Sequence, residues 1–310
     1  MNKFVHLHVH TEYSLLDGAI RTKQLAKKVA SWYPDENDPA RAVAITDHGV
    51  LYGAVEFYES CKAAGVKPIL GCETYVAPSG FTSRDDKRYN HLLLLAENLE
   101  GWHNLVKLIS IANTDGFYYK PRIDHELLNQ YHSGIIASSA CLAGEIPQYI
   151  LSEQFEQALK CAQEYRDIMG ENNFFLEIMP NSLPEQKKVN AAIIEISQKL
   201  NIPVIATGDA HYLEKSDYDW HKLLLKVNTH AGPGDDAFGF STNDFYLKSP
   251  EEFYNEFAEI PEALTNTVKI AERCNVELIP KQKKYLLPDI ELAEGRTPDD
   301  ELRFRAREGL

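Results

Sequence analysis

The chain has 310 residues, enough to bury the core of one large α/β domain, and its hydrophobic fraction of 44% is ordinary for a globular protein. Its formal charge of −14 excludes DNA binding by surface lysines and arginines alone, unless bound metal cations supply local positive charge. The absence of membrane-length apolar runs, of a signal-peptide core and of a disulfide framework predicts a cytoplasmic protein with no membrane partner and reduced thiols.

Short apolar, β-branched runs alternate with longer helical patterns along most of the chain. The predicted strands are Phe4–His8, Ala42–Thr46, Pro68–Gly71, His91–Ala96, Gly134–Ser138, Phe174–Ile178 and Val204–Thr207. The predicted helices are Thr22–Ala30, Gly53–Ala64, Trp102–Ala112, Glu153–Ile168 and Pro184–Leu200. This alternation predicts an α/β fold with a mostly parallel sheet, and about seven strands favour a barrel over an open sheet.

Two further helix starts are predicted by a capping hydroxyl, a proline in the first turn and acidic residues. They lie at Ser249–Glu252 and Thr297–Asp300. The second helix has barely three turns before Leu310. We therefore expect the chain to be part of a longer protein, with a frayed terminal helix as the alternative.

Three histidines alternate along the opening segment, at His6, His8 and His10, and Asp17 follows after a short loop. Alternate residues of a strand share one face, so these imidazoles project together. Imidazole nitrogens and carboxylate oxygens are common ligands of zinc and related ions. The pattern favours a metal site over the alternative of unrelated surface or hydrogen-bonded histidines.

Other ligand-type residues follow the ends of predicted strands, at Asp47–His48, Cys72–Glu73, Cys141 and Asp209–His211. In α/β barrels the C-terminal strand ends converge on one mouth, so these residues are expected to meet there. His91 differs because it precedes its apolar run. If it is a ligand, its strand has to present its start to the site or run in another direction.

These segments resemble the motifs of the polymerase-and-histidinol-phosphatase (PHP) family, at His8–Thr11, Thr46–Gly49, Gly71–Glu73 and Asp209–His211. Further segments are similar to the N-terminal region of bacterial C-family replicative DNA polymerases, the DNA polymerase III alpha subunits. They are Gly53–Tyr58, Asn98–Trp102, Gly116–Asp124 and Ser138–Glu145. The resemblance extends from Phe4 to the end of the chain.

The resemblance implies a distorted seven-stranded (βα) barrel of the PHP type. We assign residues 1–280 to this metal-dependent phosphoesterase domain. Residues 281–310 are predicted to be a linker and the start of the following polymerase region, with a short helical extension toward the polymerase domains.

The resemblance also implies up to three divalent ions, Zn²⁺ or Mn²⁺, whose bound water would attack the substrate. The implied ligands, which would also be the catalytic residues, are His8, His10, Asp17, His48, Glu73, His91, Cys141, Asp209 and His211. By analogy His8, His10, Glu73 and Asp209 hold one ion, Glu73 bridges to a second held by His91 and Cys141, and Asp17, His48 and His211 hold the third. Because all nine positions carry a ligand-type residue, an active site is favoured over a vestigial one.

Two positions bear on the details of the site. Cys141 offers a thiolate, which favours zinc, with manganese as the alternative. His6 stands where many members of the superfamily have aspartate, and we interpret it as orienting a ligand or as an ordinary half-buried histidine.

The activity implied by the resemblance is phosphodiester hydrolysis, as a 3′–5′ exonuclease acting on a mispaired primer end. DNA would be the substrate, and the rest of a DNA polymerase chain and other replisome subunits would be partners. The alternatives are a silent, metal-stabilised docking domain and a stand-alone small-molecule phosphatase. Lys120 and Arg122, in a tyrosine-rich loop, are candidates for contacting the DNA backbone, with Tyr118 or Tyr119 stacking on a base. The competing interpretation is a solvated loop with packed aromatic rings beneath it.

Overall fold

The computed structural model describes residues 3–230, 239–279, 291–292 and 295–310. It divides into two compact units, Met1–Leu278 and Ile279–Leu310. The predicted boundary between residues 280 and 281 lies outside the described residues and stays a prediction. Among the residues described, no helix is both long and apolar enough to cross a lipid bilayer.

The first unit is an eight-stranded sheet with helices packed against it. Its strands are β1 (Ala42–Ile45), β2 (Lys67–Val76), β3 (Asn90–Ala96), β4 (Phe117–Tyr118), β5 (Lys120–Ile123), β6 (Ile135–Ser138), β7 (Phe174–Ile178) and β8 (Val204–Ala206). Its helices are α1 (Thr22–Trp32), α2 (Ala54–Ala63), α3 (Leu99–Thr114), α4 (His125–Tyr131), α5 (Glu145–Leu151), α6 (Phe155–Met169), α7 (Pro184–Leu200), α8 (Tyr218–Asn228), α9 (Pro250–Glu256) and α10 (Pro261–Arg273). The second unit contains α11 (Pro298–Glu308).

The N-terminal segment closes the sheet into a barrel. The amide of Ala44 in β1 donates to the carbonyl of His6 at 2.9 Å, and on the other side the amide of His10 donates to the carbonyl of Ala210 at 2.8 Å. The strands β1, β2, β3, β6, β7 and β8 are hydrogen-bonded in this order. These six strands and the N-terminal segment together form a distorted barrel of seven segments, which confirms the predicted α/β barrel.

The N-terminal segment is not the regular strand that was predicted at Phe4–His8. It pairs at isolated positions only, with His6 opposite Val43 and Val9 opposite Ala210. One reason is local: the amide of Val9 donates to the hydroxyl of Thr46 at 2.8 Å, so a side chain takes the place of a backbone partner.

Strand β3 runs antiparallel to both of its neighbours, β2 and β6, whereas β1 and β2, β6 and β7, and β7 and β8 pair in parallel. The start of β3 therefore lies at the same end of the barrel as the end of β2, where His91 pairs with Tyr75. The short hairpin β4–β5 extends the sheet beside β2. The prediction of a mostly parallel sheet is wrong at β3 and at this hairpin.

Local sequence explains several element ends. Helix α7 begins at Pro184, which suits the first helical turn, and ends at Asn201, whose φ of 52° is the left-handed conformation common after a helix. Helices α9 and α11 begin with capping boxes, formed by Ser249 with Glu252 and by Thr297 with Asp300. Both helix starts were predicted at these positions.

Candidate metal centre

The nine predicted ligand residues lie together at one end of the barrel. Some come from the N-terminal segment and the loop after it, and others from turns that follow β1, β6 and β8. The remaining two come from the second half of β2 and from the start of β3. The nine residues are His8, His10, Asp17, His48, Glu73, His91, Cys141, Asp209 and His211. The antiparallel direction of β3 places His91 at this end, although it begins its strand. Their role as metal ligands stays a prediction.

Glu73 lies at the centre of the cluster and is fully buried. Its Oε1 is 3.2 Å from Nε2 of His8 and 3.0 Å from Nδ1 of His91, and its Oε2 is 2.7 Å from Nδ1 of His48. One carboxylate thus faces imidazoles from three separate segments. This is the arrangement that a carboxylate bridging two ions requires.

Cys141 lies on the β3 side of Glu73. Its Sγ is 3.6 Å from both Nδ1 of His91 and Oε1 of Glu73. Burial and the nearby charge of Glu73 raise the pKa of the Cys141 thiol well above its ordinary value. Since metals bind the thiolate, coordination at this position requires an ion that displaces the thiol proton, for which zinc is well suited.

Asp209 faces the two histidines of the N-terminal segment. Its Oδ1 is 3.2 Å from Nε2 of His8 and 3.1 Å from Nε2 of His10, and the two Nε2 atoms are 3.2 Å apart. Three potential donor atoms therefore converge on one point. They are three of the four ligands expected for the first ion, the fourth being Glu73.

Asp17 lies at the open side of the cluster. Its Oδ2 is 3.3 Å from Nε2 of His48 and 4.0 Å from Nε2 of His211. The imidazole of His10 stacks between those of His48 and His211, with ring centroids 4.0 and 4.3 Å away. Nitrogen atoms of His10, His48 and His211 converge closely enough to hold an ion, whereas the expected third ion is held by Asp17, His48 and His211. The assignment of Asp17 to that ion stays a prediction.

Several buried atoms of the cluster lack a hydrogen-bond partner among the described residues. They are Oδ1 of Asp17, Nδ1 of His48, Oε2 of Glu73 and Oδ1 of Asp209. Nδ1 of His48 and Oε2 of Glu73 nevertheless lie only 2.7 Å apart, and Oδ1 of Asp209 lies 3.1 Å from Nε2 of His10. A buried polar atom without a partner costs about 1–3 kcal/mol. Lone pairs of nitrogen and oxygen that converge without hydrogen bonds fit a bound cation.

The charges of the cluster also favour a bound cation. Burial opposes protonation of His8, but the carboxylates of Asp209, Glu177 and Glu73 outweigh it and raise the pKa of His8 well above its ordinary value. Likewise burial is outweighed at His48, whose pKa rises to about 10 beside Asp17 and Glu73. Cations bound at these positions would take the place of the protons that the carboxylates favour.

Three residues of the cluster, Asp17, His48 and His91, line an open cleft of about 680 Å³. The cleft is lined by Tyr13, Ser14, Leu15, Leu16, Asp17, His48, Val50, Tyr75, Tyr89, His91, Lys120 and Ala143. Lys120 is the one lysine or arginine in this lining, among the described residues, and its Nζ lies 5.1 Å from the ring centroid of Tyr75. An anion entering the cleft would therefore meet Lys120 beside three residues of the cluster.

Arg122 does not lie in the cleft, and the predicted contact with a DNA backbone is incompatible with its position. It is fully buried, and its guanidinium donates to the carbonyls of Asp86 at 2.6 Å and Ser83 at 2.5 Å. Its role is to hold the loop between β2 and β3. Of the two tyrosines, Tyr118 packs over this guanidinium, whereas Tyr119 is 66% exposed.

Some residues that support the cluster were not identified from sequence. Asp47 accepts hydrogen bonds from the amide and hydroxyl of Thr11 and from Ser14, which hold the start of the loop that carries Asp17. Glu177, buried in β7, contacts Nδ1 of His8 at 3.0 Å. A glutamate inside the otherwise apolar run Phe174–Ile178 was the available signal.

His6 neither orients a candidate ligand nor is half-buried. It is 2% exposed, its Nε2 lies 2.8 Å from the carbonyl of Lys248, and its ring packs against Phe4 and Phe253. Burial lowers the pKa of His6 to about 4. It is therefore a neutral core histidine.

Comparison with known proteins places the chain in a family. Residues 6–181 match the PHP domain. The DNA polymerase III alpha subunits of Deinococcus radiodurans and Thermus aquaticus are 43% and 44% identical to the chain over 99% and 97% of its length. That of Treponema pallidum is 42% identical over 92%. The chain spans about a quarter of each relative, namely 24%, 25% and 24%.

Among solved structures, one described as a metal-dependent phosphoesterase from Bifidobacterium adolescentis is 12% identical, with a TM-score of 0.43. The alignment covers 83% of this chain and 96% of that one. The matched PHP region contains seven of the nine clustered residues, from His8 to Cys141, and Asp209 and His211 follow it. The chain belongs to the PHP domain family.

Proposed function

We propose that the chain is a metal-dependent phosphodiesterase that removes nucleotides from the 3′ end of DNA. The observation that carries this proposal is the convergence of nine imidazole, carboxylate and thiol side chains at one end of the barrel, where Asp17, His48 and His91 line an open cleft. Four of their buried atoms lack hydrogen-bond partners in the described part of the chain. Such a donor set suits ions that take both nitrogen and oxygen ligands, such as Zn²⁺ or Mn²⁺.

The chemistry divides between the ions and the chain. Bound divalent ions would lower the pKa of a water molecule and neutralise charge on a phosphate ester. The residues of the chain hold the ions and orient the substrate. Glu73 contacts His8 and His91 through one carboxylate oxygen and His48 through the other. Asp17 and His48 line the cleft, and Lys120 lines it with them, where its ammonium group would attract the phosphate of an entering substrate.

The proposed substrate rests on the relatives. They are DNA polymerase III alpha subunits, and the chain is 42–44% identical to the three described above. We propose that the longer protein is a DNA-directed DNA polymerase of the bacterial cytoplasm, with other replisome subunits as partners. A mispaired primer end would then be the natural substrate of the cleft.

The test is cleavage of a primer–template with a mismatched 3′ end by the purified chain, with Zn²⁺ or Mn²⁺ and with a chelator. We expect stepwise shortening from the 3′ end that requires metal and falls at least 100-fold in Asp209→Asn. A primer blocked at its 3′ end is the control for polarity. No metal-dependent shortening by the wild-type chain, or equal shortening by Asp209→Asn, would contradict the proposal.

A second candidate is a silent, metal-stabilised domain that docks other proteins. The observation in its favour is an exposed apolar stripe on α8, where Trp220, Leu223 and Val227 are 73%, 52% and 63% exposed. In that case the chain would bind metal and gain stability from it, yet cleave no DNA with either ion. Hydrolysis of a small phosphate monoester in place of DNA would instead indicate a stand-alone phosphatase.

A further inference from the structure

Glu177 connects three of the segments that carry the metal-binding cluster. It lies in β7, is 2% exposed, and none of the nine predicted ligands belongs to its strand. Both of its carboxylate oxygens are used within the protein. Oε1 accepts from the hydroxyl of Ser138 at 2.5 Å and from the amide of Ala140 at 3.1 Å. Oε2 accepts from the hydroxyl of Thr207 at 2.5 Å and faces Nδ1 of His8 at 3.0 Å.

The contact with His8 fixes the state of its imidazole. A carboxylate that already accepts from a hydroxyl and a backbone amide offers only acceptor positions, so Nδ1 of His8 has to carry a hydrogen. When an ion takes the place of the second proton, the lone pair is on Nε2, which points at Glu73 and Asp209, 3.2 Å from an oxygen of each. A histidine ligand is commonly oriented by such a partner on its other nitrogen.

The other two contacts act on turns that present ligands. Ala140, whose amide donates to Glu177, has a φ of 57°, the left-handed conformation that is strained for a residue with a Cβ. The next residue is Cys141. Thr207 lies two residues before Asp209, which has a φ of 47°. One buried carboxylate therefore secures both strained turns as well as His8.

We propose that Glu177 is a positioning residue of the metal site, which sets the tautomer of His8 and the two turns carrying Cys141 and Asp209. This inference rests on the proposed metal-dependent function. Glu177 itself binds no ion in this role, because its lone pairs are occupied by Ser138, Ala140, Thr207 and His8.

Glu177→Gln tests the role without changing the size of the side chain. If the new amide faces His8, Nδ1 has to accept and the proton moves to Nε2, where it blocks coordination. If it faces the amide of Ala140, two donors oppose each other. We expect the affinity of the 310-residue chain for Zn²⁺, measured by competition with a chromophoric chelator, to fall roughly 10- to 100-fold.

Glu145→Gln is the matched control. Glu145 also accepts from a histidine and a hydroxyl, with Nε2 of His125 at 3.0 Å and the hydroxyl of Tyr165 at 2.9 Å, but it lies outside the cluster. We expect this variant to melt at a lower temperature and to keep wild-type affinity for Zn²⁺. Thermal melting of each metal-free variant would show how much of any loss in affinity comes from unfolding.

A second measurement reports on His8 directly. In the zinc-loaded chain, nitrogen-15 NMR of the imidazoles should show Nδ1 of His8 protonated in the wild type and in Glu145→Gln. If Glu177→Gln keeps the wild-type affinity for Zn²⁺, or if Glu177→Gln and Glu145→Gln lose equal affinity, the positioning role of Glu177 is overturned. The proposed function would not be affected by that result. A wild-type chain that binds no divalent ion would instead overturn the proposed function on which this inference rests.

Discussion

At the scale of single residues, position in the cleft separates side chains that a sequence pattern treats as equivalent. Lys120 and Arg122 are two residues apart in the same hairpin strand, yet Lys120 lines the cleft and Arg122 is buried beneath it. Burial of the guanidinium is sustained by backbone carbonyls of the loop between β2 and β3. A cation held in this way stabilises a loop and is not available to bind a substrate.

We predict that Lys120→Ala weakens binding of single-stranded DNA and leaves stability almost unchanged. One fewer phosphate contact should reduce the dependence of log K on log salt by about 0.7, the value for a single strand. Fluorescence anisotropy at several salt concentrations measures this slope. Lys62→Ala, on α2 and away from the cleft lining, is the matched control. Identical slopes for both variants and the wild type would show that Lys120 makes no phosphate contact.

The sequence was a better guide to the residues of the cluster than to the residues that surround it. His48, Glu73 and Asp209 follow or end apolar runs, and that placement is visible without a structure. Arg122 was misplaced because its partners, residues 81–86, are about 40 positions away and carry no pattern that marks them as acceptors. Glu177 was missed because a single glutamate in a short strand is equally compatible with a solvent-facing side chain.

At the scale of elements, His125 joins three helices on one side of the barrel. It begins α4, and its ring nitrogens lie 3.0 Å from Glu145 of α5 and 2.9 Å from Glu164 of α6. Burial opposes protonation of His125, but these two glutamates outweigh it and raise its pKa to about 9. A folded-state pKa above the unfolded value of about 6.5 means that protonation stabilises the fold.

We predict that His125→Gln destabilises the chain below pH 6.5 and that this difference disappears as pH rises through about 9. The sign follows because deprotonated His125 no longer attracts Glu145 and Glu164. Urea denaturation at pH 6 and pH 10 measures it. His103→Gln, at an exposed position of α3, is the control and should have little effect at either pH. A destabilisation that is the same at both pH values would show that charge on His125 is unimportant.

A second prediction concerns the contact between α3 and the turn before β6. A Cβ at Gly101 would lie 1.7 Å from the carbonyl oxygen of Gly134, a backbone atom that cannot move aside cheaply. We expect Gly101→Ala to lower the free energy of unfolding by about 3 kcal/mol or more, although alanine favours helices. Ser110→Ala on the exposed face of α3 is the control. Chemical denaturation that shows a loss below about 1 kcal/mol would contradict this packing.

Element bounds were predictable where local signals were strong. Phe174–Ile178 and Pro184–Leu200 have the predicted bounds, the helix because proline opens it and the strand because its run is short and apolar. The direction of β3 was not predictable, since an apolar run reads the same for either direction of pairing. The short helices α4 and α5 and the hairpin β4–β5 were missed because elements of two to seven residues provide too little periodicity.

At the scale of the whole molecule, the cluster connects distant parts of the chain. His8 and Asp209 are about 200 residues apart, and the N-terminal segment that carries His8 also closes the barrel. In the folded chain the carboxylates of Asp17, Glu73 and Asp209 are held close together, which is unfavourable without compensating cations. An ion that binds these residues binds the folded chain only, so metal affinity adds to the stability of the barrel.

We predict that Zn²⁺ at 100 times its dissociation constant raises the free energy of unfolding by about 2.7 kcal/mol and that a chelator reverses this gain. Differential scanning calorimetry with and without the ion measures the shift. His8→Ala should still fold and unfold cooperatively, but Zn²⁺ should stabilise it much less than the wild type. His125→Gln should be stabilised by Zn²⁺ as much as the wild type. An equal gain in His8→Ala would place the stabilising ion elsewhere.

The direction of β3 has a consequence for how this cleft can change. Because β2 ends and β3 begins at the same end of the barrel, the loop of residues 77–89 connects them there without a crossover helix, and its last residue lines the cleft. Buried Arg122 anchors this loop, and Tyr89 at its end lines the cleft. Surface loops tolerate changes in length and composition better than the elements they connect. A change in this loop would therefore alter the rim of the cleft and leave the strands and turns that carry the clustered residues in place.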